Sequence, residues 1–115
     1  MLISGKIKLI VSDFEKSFNF YTHILGFKSK QRIGRVHATL KGSGMTIELE
    51  VVSPEKELPE QTFSLGVGVS DLNPVIATLK KNGIEFSGFK ESEVGGRIAH
   101  LKDPDGVSIY LREVV

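Results

Sequence analysis

With 115 residues, 40% of them hydrophobic and 25% charged, the chain has the length and composition of one folded domain, which excludes a disordered tract or a membrane-embedded protein. Fifteen Lys and Arg against fourteen Asp and Glu leave a net charge of +1, with no basic stripe interleaved by aromatics, so no nucleic-acid partner is expected. The absence of cysteine removes disulfides, thiolate nucleophiles and thiolate metal sites, and makes a cytoplasmic location the expectation.

The opening segment is apolar but interrupted by Lys6 and Lys8, and no small-residue cleavage site follows it, so it reads as a strand rather than a leader. Ile7, Leu9 and Val11 carry the period-2 pattern of a half-buried strand. Ser12-x-x-Glu15 has the form of a capping box, and Phe14, Phe18, Tyr21 and Leu25 make the apolar stripe of a helix that Gly26 ends. Strands are predicted over about 27–32, 35–41 and 45–51, with Gly42-Ser43-Gly44 as the turn between the last two. Residues 53–62, with Pro54 and Pro59, read as a linker. Beyond it the order repeats: a strand at 63–69, a helix opening at Asn73-Pro74 and ending at Gly83, and strands near 84–89, 97–102 and 107–112. Asp103-Pro104-Asp105-Gly106 reads as a hairpin turn, since it lacks the further carboxylates of a calcium loop.

The chain is a duplication. Val11-Ser12-Asp13 recurs as Val69-Ser70-Asp71, and Gly34, Arg35, Gly44, Ile47 and Leu49 recur in a second register as Gly96, Arg97, Gly106, Ile109 and Leu111. A repeat this long suits two half-domains better than a solenoid. The predicted fold is α+β, one domain over 1–115 built from two βαβββ modules at about 1–52 and 63–115.

Val-x-Asp followed by Lys16-Ser17 and Phe20-Tyr21-x-x-x-Leu25-Gly26-Phe27, together with Lys102-Asp103-Pro104-Asp105-Gly106-x-x-Ile109, resembles the vicinal oxygen chelate superfamily of glyoxalases, bleomycin resistance proteins and extradiol dioxygenases. The resemblance implies a curved mixed sheet enclosing a cleft, and in the enzymes a metal held from the first and last strands of each module. Carried onto this chain, the ligand positions are Lys6, Glu48, Ser64 and Tyr110, of which Glu48 alone is of the expected type. Lysine must lose its proton to bind, serine is a poor ligand and tyrosine is neutral at pH 7, so no metal and no cofactor are expected. The histidines do not complete a set: His23 lies on the helix away from the inner face, His37 falls on that face by strand alternation, and His100 is ambiguous.

Alternation also sorts the face opposite the apolar set: Lys6 and Lys8, Arg35, His37 and Thr39, Thr46, Glu48 and Glu50, Ser64, Gly66 and Gly68, Arg97, and Ser108, Tyr110 and Arg112. Cations outnumber acids there, and the small residues at 64–68 predict a roomy trough floor. The candidate ligand-binding residues are Lys6, Arg35, His37, Glu48, Ser64, Gly66, Arg97 and Tyr110, around an anionic small molecule. The favoured function is metal-free small-molecule binding. The alternatives are a lyase or dioxygenase-type enzyme, metal-dependent with unusual ligands or using Glu48 as a general base, and a structural module acting through a dimer surface. A homodimer is expected, because the modules resemble halves that complete a cleft by pairing within or between chains.

Overall fold

In a computed structural model, which describes residues 1–87, 90–91 and 96–114, the chain divides into two units, 1–60 and 61–115. The first contains β1 (Ile7–Val11), α1 (Phe14–Asn19), β2 (Lys28–Ile33), β3 (His37–Gly42) and β4 (Met45–Val51). The second repeats this with β5 (Ser64–Val69), α2 (Leu72–Lys81), β6 (Lys90–Glu91), β7 (Arg97–Lys102) and β8 (Ser108–Glu113). Each unit has a four-stranded sheet, ordered β1-β4-β3-β2 and β5-β8-β7-β6, in which the first strand lies parallel to the last. This is the α+β, twice-repeated βαβββ architecture expected from the duplication.

In the first sheet Leu9 pairs with Leu49, Ala38 with Leu49, and Leu40 with Ile47, so one face is continuously apolar. These side chains are fully buried together with Phe14, Phe20, Tyr21 and Phe27. The second unit matches it: Leu65, Val67, Ala99, Leu101, Ile109 and Leu111 are buried with Leu72, Ile76 and Leu79 of α2. Each such side chain contributes about 1.5–3 kcal/mol by leaving water. The opposite face of each sheet is left to polar residues.

Several local features depart from the sequence reading. Asp13, not Ser12, caps α1, its carboxylate accepting from Lys16 N at 3.1 Å. Asp71 does the same for α2, accepting from Asn73 N at 2.9 Å, so the repeated Val-Ser-Asp carries a cap in its third residue. After α1 the chain widens into a π-helical turn over Phe20–Ile24, which brings adjacent Phe20 and Tyr21 into the core where a regular helix would turn one of them outward. Gly83, at φ 68°, closes α2 with Gly83 N donating to Lys80 O and Ile84 N to Leu79 O, a Schellman ending. Ser43 and Gly44 both have positive φ, as a two-residue hairpin turn between β3 and β4 requires. Asp103 is buried, and its Oδ1 accepts from Asp105 N and Val107 N, which fixes the predicted turn between β7 and β8. Of the strand predicted over 84–89, Phe86 bridges Leu101, while residues 88 and 89 lie outside the described residues.

Candidate functional site

The polar face of the first sheet is organised around Glu48. Register places Glu48 beside Lys8 on β1 and Thr39 on β3, and the same parity brings His37 and Lys6 to it. Lys6 Nζ lies 2.5 Å from Glu48 Oε1, and His37 Nε2 lies 3.6 Å from Oε2, so both carboxylate oxygens face a nitrogen. The hydrogen bond from Lys6 lowers the Glu48 pKa below its ordinary value against the opposing effect of burial, with His37 adding to the fall. The pairing favours the ionised form of Glu48 and makes it a weaker base than a free carboxylate. His37 Nδ1 is buried with no hydrogen-bond partner among the described residues. Further along the face Lys8 Nζ stands 3.6 Å from Glu50.

On the second sheet Ser64, Gly66 and Gly68 share a face with Tyr110 and Arg112, the register pairing Gly66 with Tyr110 and His100 with Tyr110. The roomy floor expected at Gly66 is not there, because the Tyr110 ring lies across it. A Cβ at Gly66 would collide with that ring. The glycine makes space for a neighbouring aromatic rather than for a ligand. His100 flanks the same ring on the other side, with centroids 6.3 Å apart. Lys6, His37 and Glu48 thus belong to the first unit, and Ser64, Gly66 and Tyr110 to the second.

Arg35 and Arg97 leave the polar face. β3 begins only at His37, so strand alternation does not extend to Arg35, which sits in the β2–β3 turn with Nε 3.4 Å from Glu15 of α1. Arg97 has the parity of buried Ala99 and Leu101 and points to the start of α2. There its Nε donates to Glu113 Oε1 at 2.8 Å and its Nη2 to Glu113 Oε2 at 2.7 Å, with Asn73 and Asp71 beside it. Glu113 also accepts from Leu72 N at 3.0 Å, and these bonds, Arg97 foremost, hold its pKa down to about 2. The two arginines are related by the duplication, but only Arg97 ties the sheet to a helix; the Arg35 side chain stays 81% exposed. Glu113, which the motifs do not single out, is the tie between β7, β8 and α2.

Among the described residues no three His, Cys, Asp or Glu side chains come together as a metal-binding group. At Lys6, the first-strand position that the resemblance marks for a ligand, the side chain is an ammonium paired with Glu48.

A family model described as the Glyoxalase/Bleomycin resistance protein/Dioxygenase superfamily matches residues 4–111. The chain belongs to that superfamily. Within reach of it by sequence is the uncharacterized protein YraH of Bacillus subtilis (strain 168), 32% identical over 114 residues that cover 87% of this chain and 89% of the relative. Among solved structures, TnmS3, an antibiotic binding protein from Streptomyces sp. CB03234, is 27% identical with a TM-score of 0.76, covering 100% of this chain and 99% of its own. A bleomycin-binding protein complexed with bleomycin shares the fold at a TM-score of 0.72 and 24% identity, covering 99% of this chain and 100% of that one. As members of the superfamily differ in what they bind, function within the glyoxalase and bleomycin resistance group has to be argued from the side chains of the two polar faces.

Proposed function

We propose that this member of the superfamily binds a small organic molecule and does so without a metal ion. The observation that carries the reading is the Lys6–Glu48 ion pair. The carboxylate that would anchor a divalent ion is neutralised from within the chain, and an incoming metal would have to displace an ammonium and then bind with too few donors. TnmS3, 27% identical along the whole chain, is an antibiotic binding protein, which supports a binding role; the fold alone does not choose between binding and catalysis, since a lactoylglutathione lyase shares it at a TM-score of 0.75. On the first unit the contact residues are Lys6, His37 and Glu48; on the second, Ser64 and Tyr110, with Gly66 acting through the ring it accommodates.

Elemental analysis of protein purified without chelators tests the metal-free reading, together with calorimetric titration of Zn2+, Ni2+ and Mn2+ into the protein. The expected result is substoichiometric metal and no saturable heat. Close to one equivalent of a divalent metal per chain would overturn it and restore glyoxalase-like or dioxygenase-like chemistry.

A further inference from the structure

The second unit contains an open cavity of about 550 Å3 bordered by the segment following α2 and by strands β7 and β8. Ile84 is held by its hydrogen bond to Leu79 at the end of α2, Phe86 bridges Leu101, and Ser87 N donates to His100 O at 2.8 Å, so this wall is tied to the sheet. Half-buried Ile84 and Phe86 supply the apolar lining, since Leu101 and Ile109 are packed into the core. Lys102, Ser108, Ser87 and His100 supply the polar groups.

The hydrogen-bond roles of those polar groups are unequal. Lys102 Nζ donates to Ser108 Oγ at 2.8 Å, and His100 N donates to Ser87 Oγ at 3.3 Å. Both serine oxygens are thus used as acceptors, leaving their hydroxyl protons available to donate, and the ammonium keeps two further N–H groups. Lys102 forms no ion pair among the described residues, unlike Lys6, Lys8, Arg32, Arg35 and Arg97. A half-apolar cavity that presents donors and an unneutralised positive charge is complementary to an acceptor-rich anion. Glu85, the one carboxylate in the lining, opposes such a ligand and sets a sign that can be tested.

We infer that this cavity is a binding site for a small organic acid, its carboxylate on Lys102 and Ser108 and its apolar body against Phe86. The inference rests on the reading of the protein as a metal-free binder and adds to it a site apart from Lys6, His37, Glu48, Ser64 and Tyr110, none of which lines this cavity. It also relocates the anion to Lys102 from Arg97, whose charge is engaged by Glu113, and from Arg35, which lies in the first unit and not in this cavity.

The probe is 4-phenylbutanoate with its neutral amide as control, titrated into the 15N-labelled full chain and followed by amide shifts and calorimetry. The acid is expected to bind about tenfold tighter than the amide, the usual worth of one charge-assisted hydrogen bond, with shifts centred on residues 84–87 and 100–109. Lys102→Gln should bring the acid down to the affinity of the amide, and Glu85→Gln should tighten the acid; both residues are exposed, and an unchanged melting temperature verifies folding. Equal binding of acid and amide, no effect of Lys102→Gln, no binding of either probe, or shifts centred on Lys6 and Glu48 would each overturn the site. Metal analysis is independent of these outcomes, so a failed cavity leaves the metal-free reading standing and a bound metal defeats that reading by itself.

Discussion

Gly66 and Tyr110 face each other across the parallel β5–β8 pair, and the tyrosine ring occupies the space a side chain at 66 would need. The pair behaves as one aromatic platform on the second sheet. Gly66→Ala should therefore destabilise the protein by about 1–3 kcal/mol, the range for inserting atoms into a filled space. The same change in a Tyr110→Ala background should cost much less, because the clash is gone. Chemical denaturation of the four proteins of that double-mutant cycle measures the coupling, and simple additivity would mean that the ring swings aside freely.

Glu113 links folding to acid. Its pKa falls from 4.5 to about 2 on folding, so the native state holds the carboxylate ionised where the unfolded chain has begun to bind a proton. Stability from this group is complete above about pH 4.5 and is lost as pH drops through about 2. Glu113→Gln should lower the melting temperature at neutral pH and flatten the acid limb of the stability curve across that window. Urea midpoints measured from pH 2 to 7 for both proteins check it; parallel curves would show that another carboxylate dominates.

Replacing the cation at position 6 with a metal donor should convert the first polar face. Lys6→His removes the ammonium from Glu48 and adds an imidazole beside His37, giving three donors of suitable type around one carboxylate. Zn2+ titration should then show saturable binding that the parent protein lacks. Failure of this variant to bind would mean that His37, whose Nε2 approaches Glu48, is held in an orientation closed to a metal.

A homodimer is the expected solution state. β2 is an edge strand exposed along its whole length, and Ile33 at its end and Val36 in the following turn are large apolar side chains open to solvent. Unpaired strand edges with apolar neighbours gain from being covered. Light scattering at micromolar concentration should give about twice the 12.6 kDa chain mass, and variants carrying Ile33→Lys and Val36→Glu should shift the protein toward one chain.

The sequence by itself determined the duplicated βαβββ order, the apolar faces and the family, because strand alternation and turn chemistry are local and recur in both halves. It also placed Lys6, His37 and Glu48 on one face, since alternation along a regular strand decides direction without knowledge of the neighbours. What the tertiary structure decided was occupancy. Arg35 leaves the polar face because strand parity does not extend through the turn before β3; Arg97 shares the parity of buried Ala99 and Leu101, which alternation alone shows, but its partner Glu113 is distant in sequence from Asn73 and Leu72 and meets them only at the head of α2. Gly66 is filled by a ring 44 residues away that only the parallel β5–β8 register brings opposite it. The Lys102 cavity was invisible for the same reason: its walls come from the end of α2 and from two strands, and such a space exists only once those segments have been brought together.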